Sequence, residues 1–341
     1  MIRKAQAYSQ AIRRGIVGSI ASAMFVGGFA AAGAADRQSL PDKISSGTNM
    51  TPASYNGIRY RRETVNGVGI QFQEAGDSSR PTLLFLHGFP STSRMWDRLI
   101  PSLLPHFHLI APDYPGFGLS DAPDPGTFKY TFDNLAMCMM ALLRQIGVKT
   151  YSLIMQDYGG PIGFRMALAE PERLGVIVAQ NNAAYEEALG PLWDARKAFW
   201  ADPGPNRDKL QSNLLSLESA RLRHVGSSPH PELYDPNNWL DEYAMLSWPG
   251  MGDIQTDLFY DYRNNVSSYP KWQAWLRQAR PPFLLVWGRY DPSFSQQGAL
   301  GFSKDNPNTE THVIDAGHFP LDEAADQVRA LALAFLQKHL G

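Results

Sequence analysis

The sequence predicts an α/β fold: one mostly parallel β-sheet with helices on both faces, interrupted by a helical insertion. Three observations predict it. Short apolar runs alternate with stretches of helical spacing over residues 82–179, which is typical of a parallel sheet covered on both faces. Strand signals then stop over residues 183–275. They return at residues 282–287 and 311–314, so the insertion interrupts one sheet rather than joining two separate domains.

The individual elements follow in order from residue 60. Residues 60–74 alternate in hydrophobicity around Asn66-Gly67, which is a hairpin signal. Apolar runs predict strands at residues 82–87, 108–112, 151–155, 174–179, 282–287 and 311–314. Helical spacing predicts helices at residues 95–104, 130–146, 160–169 and 322–338.

Residues 183–275 are predicted to form a helical cap over this sheet. The segment holds six of the eight tryptophans, namely Trp193, Trp200, Trp239, Trp248, Trp272 and Trp275. The sheet domain is therefore expected in two parts, residues 58–182 and residues 276–341. Residues 36–57 are rich in Ser, Pro, Gly and Asn, and we expect a linker or an N-terminal arm there.

The first 35 residues resemble a cleaved export signal. Four cations (Arg3, Lys4, Arg13 and Arg14) and no acids are followed by an uncharged stretch and a small-residue site. A membrane anchor is the alternative, but Gly, Ala and Ser dominate the stretch. The paired arginines resemble a twin-arginine signal; Ile12 stands where Ser or Thr is usual, so the export route stays open. We expect a periplasmic bacterial protein without stable membrane association, whose formal charge changes from −2 to −6 on cleavage.

Composition and charge exclude several classes of function. Lys and Arg number 31 against 33 Asp and Glu, without a basic block in the body of the chain, so nucleic acid is not an expected partner. The single cysteine, Cys138, excludes an intrachain disulfide and a cysteine metal cluster, and we expect a buried, inert thiol. No metal or nucleotide motif is found, so no cofactor is expected. The sequence does not predict the oligomeric state.

Polar residues follow several predicted strands at their carboxyl ends, where the active sites of open parallel sheets lie. Asp157 precedes Gly159-Gly160, which indicates a tight strand-to-helix turn after the third of the parallel strands. Asp291 follows the strand at 282–287, and His318 follows the last strand. Nucleophile, acid and base occur in this order in one group of catalytic triads, so we predict such a triad.

These residues resemble the α/β-hydrolase superfamily, specifically the epoxide hydrolase and haloalkane dehalogenase branch, whose nucleophile is an aspartate. The resemblance covers residues 60–341. His87-Gly88-Phe89-Pro90 is similar to the HGFP loop of epoxide hydrolases, and residues 115–120 (PGFGLS) are similar to the turn after the next strand. Gln156-Asp157-Tyr158-Gly159-Gly160 is similar to the nucleophile elbow of haloalkane dehalogenases, where tryptophan usually replaces Tyr158. Residues 259–264 (FYDYRN) resemble the epoxide hydrolase segment whose tyrosine protonates the opening ring, and Tyr262 matches that tyrosine.

The resemblance implies hydrolysis in two steps. Asp157, expected to be ionised at a helix N-terminus, attacks a saturated carbon and forms an alkyl ester. His318 then activates the water that hydrolyses the ester, while Asp291 orients the imidazole. The backbone N–H groups of Phe89 and Tyr158 are the expected oxyanion-hole donors. His87 is expected to be structural rather than a second base.

The sequence is compatible with two kinds of leaving group, an epoxide oxygen and a halide. For an epoxide, Tyr262 matches the proton donor, but a second cap tyrosine is not evident, and Tyr158 or Tyr185 is the candidate for it. For a haloalkane, the elbow motif fits, but Tyr158 replaces the halide-binding tryptophan; Trp193 or Trp200 of the cap is a candidate to contribute one N–H. We favour epoxide opening over dehalogenation, with an ester or lactone hydrolase as a weaker third.

The aromatic content of the cap predicts a mostly apolar pocket. Tyr158, Trp193 and Tyr262 are the expected substrate-binding side chains, and the expected reactants are a small apolar molecule and water. A non-catalytic hydrolase fold with a binding or signalling role is the alternative of another class, because fold alone does not determine function. That alternative is less favoured because all three triad positions are filled.

Overall fold

The computed structural model describes residues 57–341 of the chain. The predicted export signal (residues 1–35) lies outside the described residues, as does the predicted linker (residues 36–57) except for its last residue. Within the described range, none of the helices has both the length and the hydropathy needed to cross a membrane.

Eight strands form one sheet. They are β1 (Ile58–Val65), β2 (Val68–Ala75), β3 (Thr82–Leu86), β4 (His108–Pro112), β5 (Tyr151–Gln156), β6 (Leu174–Gln180), β7 (Phe283–Gly288) and β8 (Thr309–Ile314). Their order across the sheet is β1-β2-β4-β3-β5-β6-β7-β8. The β1–β2 and β2–β4 pairs are antiparallel, and the remaining pairs are parallel. The predicted mostly parallel sheet is confirmed, and each predicted strand is present with ends within two residues of those expected.

The hairpin turn between β1 and β2 has the geometry that its sequence predicts. Asn66 and Gly67 have φ values of 51° and 83°. A two-residue turn of this kind needs positive φ at both positions, which Asn and Gly tolerate better than other residues. Val65 therefore pairs directly with Val68, and this register continues along both strands.

Eleven α-helices are present among the described residues. They are α1 (Ile100–Leu103), α2 (Phe132–Gln145), α3 (Gly159–Ala169), α4 (Asp194–Ala201), α5 (Pro203–Leu214), α6 (Leu217–Val225), α7 (Pro236–Leu246), α8 (Met251–Ala279), α9 (Gln297–Asp305), α10 (Pro320–Glu323) and α11 (Ala325–Leu340). The side chains of β3, β5 and β7 alternate between the two faces of the sheet. One face packs against α2 and α3, and the other packs against α11.

Two predicted helices are broken in the structure. The segment expected as one helix over residues 95–104 is a 3-10 turn at Ser93–Trp96 followed by the short helix α1. Pro101 explains the break, because proline lacks an N–H and its ring would clash with the carbonyl of a preceding helical turn. The closing helix predicted over residues 322–338 is divided into α10 and α11 at Ala324.

Helices α4 to α8 form the cap, which lies in sequence between β6 and β7. The described residues of this segment contain helices and 3-10 turns, as predicted, and α8 continues to Ala279, beyond the expected end of the cap at residue 275. Helix α8 also contacts the sheet domain: the Asp261 carboxylate accepts a hydrogen bond from the backbone N–H of Phe132 at 2.8 Å. Arg165 on α3 donates to the side chain of Asn265 on α8 at 2.8 Å.

A buried histidine forms a second connection between the cap and the sheet domain. His224 on α6 lies between Asp322 on α10, 2.6 Å from Nδ1, and Glu242 on α7, 2.9 Å from Nε2. Burial lowers the pKa of His224, but the two carboxylates outweigh this effect and raise it to about 10. The imidazolium is therefore the form that holds α6, α7 and α10 together at neutral pH. We call this group the His224 bridge.

Candidate active site

Asp157 lies at the tight turn between β5 and α3. Its φ is +48°, a backbone conformation that residues other than glycine rarely adopt. The second and third positions after Asp157, Gly159 and Gly160, require glycine. A Cβ at Gly159 would lie 2.0 Å from the carbonyl oxygen of Leu86, and a Cβ at Gly160 would lie 2.8 Å from the Asn182 side chain. The close approach of β3, β5 and α3 therefore fixes the direction in which the Asp157 side chain projects.

The carboxylate of Asp157 faces the loop after β3. Its Oδ1 accepts a hydrogen bond from the backbone N–H of Phe89 at 2.9 Å. Gly88 permits this approach, because a Cβ there would lie 2.1 Å from Gln156 Oε1 and 2.6 Å from Asp157 Cβ. Burial raises the pKa of Asp157, while the charge of His318 and the backbone N–H groups of Phe89 and Tyr158 lower it. The expected stabilisation by N–H donors is therefore present, but burial outweighs it.

His318 lies between Asp157 and Asp291. Its Nδ1 is 2.9 Å from Asp291 Oδ2, and its Nε2 is 3.6 Å from Asp157 Oδ2. Three further donors fix the Asp291 carboxylate: the Asn181 side-chain amide at 2.7 Å and the backbone N–H groups of Ser293 and Phe294 at 2.6 and 3.1 Å. The three residues predicted as a triad are thus brought together at the carboxyl ends of β5, β7 and β8.

The hydrogen bonds of His318 define which ring nitrogen can accept a proton. Nδ1 donates to Asp291, which leaves the lone pair of the neutral ring on Nε2, the nitrogen nearer Asp157. The Gln156 amide lies 3.1 Å from Nε2 and donates to the His318 carbonyl at 3.0 Å. Burial lowers the pKa of His318, but the charge and hydrogen bond of Asp291, with the charge of Asp157, outweigh it and raise the pKa. The arrangement is that of a general base held by an acid.

A small cavity adjoins Asp157 and His318. Its volume is about 10 Å³, close to the space that one water molecule needs. Its lining residues are Phe89, Asp157, Tyr158, Trp193, Arg196, Arg223, Phe259, Ser293 and His318. Tyr158 and Trp193, two of the three predicted substrate-binding residues, therefore line it. This space is smaller than an organic substrate, so the cavity must widen for a substrate to reach Asp157.

The third predicted substrate-binding residue, Tyr262, is not among the lining residues. Its ring is 4.5 Å from that of Trp193 and 5.9 Å from that of Tyr158, centroid to centroid, so it lies behind these two side chains. Burial raises the pKa of Tyr262 well above its usual value, and the neighbouring Tyr269 adds to the effect. The hydroxyls of Tyr158 and Tyr262 both lack a hydrogen-bond partner in the described residues, but only Tyr158 lines the cavity. The role of Tyr262 as proton donor stays a prediction.

The indole N–H groups of Trp193 and Trp200 are already used in hydrogen bonds. Trp193 donates to the Ser293 carbonyl at 2.8 Å, and Trp200 donates to the Phe259 carbonyl at 2.7 Å. The expectation that one of them offers a free N–H to a halide is therefore not met in this conformation. Tyr185, a further candidate donor, hydrogen-bonds Asp305 at 3.0 Å and lies outside the cavity lining.

Two arginines in the cavity wall do not stand out in the sequence. Arg196 lies on α4 and Arg223 lies on α6, so their side chains converge only when the cap folds. The single local signal is the spacing of Trp193 and Arg196, which places both on one side of a helical turn. The predicted mostly apolar pocket is therefore aromatic and cationic.

His87 has the features of a structural residue. It is fully buried and stacks on Tyr114 with ring centroids 4.0 Å apart. Burial lowers its pKa to about 3, so the ring is neutral. The thiol of Cys138 is also buried, and burial raises its pKa to about 11. Residues 57–341 contain no group of three His, Cys, Asp or Glu side chains arranged to hold a metal ion.

A larger cavity of about 210 Å³ lies at the boundary between the cap and the sheet domain. It is lined by residues of the His224 bridge and by Gln180 and Phe319, among others, and shares no lining residue with the cavity at Asp157. None of the three predicted triad residues lines this larger cavity, so we place the candidate active site at the smaller one.

A parallel sheet with Asp157, Asp291 and His318 after three of its strands, beneath a helical cap, is the construction of a hydrolase. The chain belongs to the alpha/beta hydrolase fold family, whose model matches residues 81–325. It is 37% identical to an uncharacterized hydrolase of Saccharomyces cerevisiae over 267 residues, covering 77% of this chain and 91% of that protein.

Two solved structures show the same fold. The epoxide hydrolase CorEH matches with a TM-score of 0.67 and 19% identity, over 82% of this chain and 99% of that one. The haloalkane dehalogenase DbeA from Bradyrhizobium elkani matches with a TM-score of 0.67 and 21% identity, over 82% and 98%. The two activities lie on equally similar folds, so the overall fold does not discriminate between them.

Proposed function

We propose that this protein is a hydrolase that forms a covalent alkyl ester on Asp157 and opens epoxides to diols. The observation that carries the proposal is the position of the Asp157 carboxylate. One oxygen accepts the Phe89 N–H at 2.9 Å, and the other lies 3.6 Å from His318 Nε2. A carboxylate in this position is a ready nucleophile with a base beside it.

In the first half-reaction, Oδ2 of Asp157 attacks a ring carbon of the epoxide. A C–O bond forms to Asp157, the ring C–O bond breaks, and the ring oxygen takes the proton of a tyrosine hydroxyl. Tyr158 supports this step, because it lines the cavity and its hydroxyl has no other partner in the described residues. Tyr262 is the donor that the resemblance implies, and its place behind Tyr158 makes it the second candidate.

In the second half-reaction, His318 removes a proton from water, and the hydroxide attacks Cγ of the Asp157 ester. Negative charge develops on Oδ1, next to the N–H groups of Phe89 and Tyr158. The ester bond breaks, and the departing alkoxide takes the proton from His318. The proton of the regenerated carboxylic acid then restores the tyrosine hydroxyl. The sum is epoxide plus water to diol.

Ester formation itself favours the second step. Part of the raised pKa of His318 comes from the negative charge of Asp157. Alkylation removes that charge, so the pKa of His318 falls and more of the imidazole is in the basic form when water must be activated. The charge of Asp291 remains and stabilises the imidazolium that forms.

Dehalogenation of a haloalkane is the second candidate function. The hydrogen bonds of Trp193 and Trp200 to backbone carbonyls speak against it, since a halide needs free N–H donors. Arg196 and Arg223 speak for it, because a cation in the cavity wall stabilises a departing halide ion. The same ester on Asp157 would form, with the carbon–halogen bond breaking instead of a ring bond.

The covalent ester can be trapped with a His318→Gln variant. Intact mass after incubation with an epoxide is expected to rise by the whole mass of that substrate, and with a haloalkane by that mass less the hydrogen halide. The matched control is the double variant Asp157→Asn, His318→Gln, in which no adduct is expected. A folded His318→Gln protein without an adduct from either substrate would contradict the covalent mechanism.

We also propose that the protein is exported to the periplasm through cleavage near residue 35. The cationic, uncharged and small-residue segments in sequence support this proposal. Mass spectrometry of the mature protein is the test: a chain that begins near Asp36 is expected, and a mature chain that still begins at Met1 would contradict export by cleavage.

A further inference from the structure

We propose that Arg196 and Arg223 form a carboxylate-binding subsite, so that the substrate is a short-chain acid with its electrophilic carbon next to the carboxylate. The proposal rests on the proposed function, since it defines the substrate class of the same site. Within the epoxide reaction, the substrate class is the small 2,3-epoxy acids.

Both guanidinium groups lie against the aromatic walls of the cavity at Asp157. Arg196 lies over the Trp193 ring, 4.3 Å from its centroid, and 5.4 Å from that of Phe259. Arg223 lies 4.6 Å from the centroid of Phe89. All three aromatic residues line the same cavity as the two arginines. The two guanidinium groups therefore line the same cavity, although they come from two different cap helices.

Each arginine has bonding capacity that the described residues do not use. Nη1 of Arg196 and Nη1 of Arg223 are inaccessible to solvent and have no hydrogen-bond partner. Arg223 donates from Nη2 to the Leu214 carbonyl at 2.8 Å. Among residues 57–341, no carboxylate oxygen lies within 4.0 Å of either guanidinium, whereas Arg207 on α5 pairs with both Asp253 and Asp257.

Two unpaired cations in one wall are costly, and this cost indicates an absent anion. A buried charge without a hydrogen-bonded anion loses its hydration, and for both arginines this burial outweighs the attraction of the charge of Asp157, so their pKa values are lowered. Burial, together with the charge of Arg196, lowers the pKa of Arg223 to about 10, which still leaves it charged at neutral pH. An anion between the two groups would remove both penalties.

Asp157 does not serve as that anion. Its Oδ1 is bound to the Phe89 N–H, and its Oδ2 faces His318 and must be free to attack. A substrate carboxylate fits better, because guanidinium N–H groups form paired hydrogen bonds with its two oxygens. Because both arginines and Asp157 line this one cavity, the carboxylate and the reacting carbon of the substrate must lie few atoms apart. The aromatic walls accommodate the uncharged remainder.

The test compares oxirane-2-carboxylate with oxirane-2-carboxamide, its neutral analogue of similar shape. We expect wild-type kcat/KM to favour the acid by on the order of 10²-fold, and Arg196→Gln or Arg223→Gln to remove this preference. The amide should change less than about threefold in either variant. Arg223→Lys should recover part of the preference, because the charge is restored without the paired donors.

Arg221→Gln is the matched control. Arg221 lies on the same helix as Arg223, but its partner is Glu218 and its side chain is exposed. This variant should behave as wild type with both compounds. The melting temperature distinguishes a binding role of the two arginines from a structural one. Removing an unpaired buried cation should leave the melting temperature unchanged or raise it. Removing an arginine that only supports the structure would lower the melting temperature and reduce the activities on both compounds equally.

The outcomes separate this proposal from the proposed function. If His318→Gln is alkylated by the amide as readily as by the acid, and the arginine variants make no difference, the subsite is wrong and the covalent mechanism stands. If no epoxide alkylates the protein, but calorimetry shows that oxirane-2-carboxylate binds and that Arg196→Gln abolishes binding, the subsite stands and the proposed reaction is wrong. Arginine-dependent hydrolysis of 2-chloropropionate would retain the subsite and replace ring opening by dehalogenation.

Discussion

The indole nitrogen of Trp193 donates a hydrogen bond to the backbone carbonyl of Ser293 at 2.8 Å. The N–H of the same Ser293 donates to Oδ1 of Asp291 at 2.6 Å. The first turn of the cap is therefore bonded to the loop that holds the triad acid. One chain of hydrogen bonds therefore connects Trp193 in the cavity wall to the carboxylate that holds His318.

Replacing Trp193 by Phe should reduce the free energy of unfolding more than it reduces the rate of Asp157 alkylation. Phe retains an aromatic wall but leaves the buried Ser293 carbonyl without its donor, at a cost of about 1–3 kcal/mol in the free energy of unfolding. The rate of Asp157 alkylation in a single turnover should change little. Denaturant unfolding and rapid-quench mass measurement check the two parts. A selective loss of alkylation by haloalkanes would instead assign the indole N–H to a departing halide.

Gly88→Ala should inactivate the protein by displacing Asp157. The added Cβ would lie 2.6 Å from Asp157 Cβ and 2.1 Å from Gln156 Oε1, so the loop or the elbow must move. A displacement of this size near reacting atoms costs on the order of 10²-fold in kcat/KM. Gly190→Ala is the control, because nothing lies within 4 Å of a Cβ there and its φ is −72°. Equal activity of the two variants would show that the loop tolerates the added methyl group.

Asp291→Asn should shift the acidic side of the pH–rate profile of ester hydrolysis to lower pH. The charge and hydrogen bond of Asp291 raise the pKa of His318, so their loss lowers it. Because neutral His318 is the base, the rate then begins to fall only at a lower pH as the medium is acidified. The maximal rate should itself fall by about 10⁴-fold, as in triads that lose the orienting acid. Decay of the ester measured across pH in single turnovers of wild type and Asp291→Asn, both with His318 present, gives both quantities. An unchanged pH dependence would mean that His318 titrates independently of Asp291.

Tyr158→Phe should slow epoxide opening by roughly 10²- to 10⁴-fold if its hydroxyl supplies the proton. The backbone N–H of this residue is unchanged, so hydrolysis of a preformed ester should keep its rate. Tyr262→Phe is the companion variant, since its ring lies behind Tyr158. Single-turnover alkylation by an epoxide distinguishes them. A larger loss in Tyr262→Phe than in Tyr158→Phe would assign the proton to Tyr262, as the resemblance implies.

His224→Gln should destabilise the protein at neutral pH and progressively less in alkali. The carboxylates of Glu242 and Asp322 raise the pKa of His224 to about 10. Stability from such a group is fully present below its unfolded pKa of about 6.5 and is lost as the pH rises through its folded pKa. Unfolding free energies from pH 6 to 10 should therefore show a difference of about 3 kcal/mol that shrinks with pH. His230→Gln, at an exposed position, should show no such trend.

The sheet and the triad could be predicted because their signals are local. Asp157 sits beside the glycines that its turn requires, and apolar runs identify the buried strands whatever surrounds them. The break before α1 depends on Pro101, which interrupts an otherwise helical pattern. Sequence order also predicted that Asp157, Asp291 and His318 lie together, because each follows its own strand.

The arginines of the cavity could not be predicted in the same way. Arg196 and Arg223 are separated by a helix and a turn, and their joint position exists only in the folded cap. An arginine on a cap helix is indistinguishable in sequence from a solvated one such as Arg221. Tyr262 shows a second limit of prediction from sequence. A motif match identifies the segment, but it does not identify which aromatic ring lines the cavity.

The cations and anions of the site come from different parts of the chain: Arg196 and Arg223 from the cap, Asp157 from the sheet domain. The negative charge of Asp157 attracts both arginines. In the mechanism that we propose, esterification removes this charge, so the electrostatic attraction between the cap and the sheet domain is weakest while the ester exists and returns when the carboxylate is regenerated.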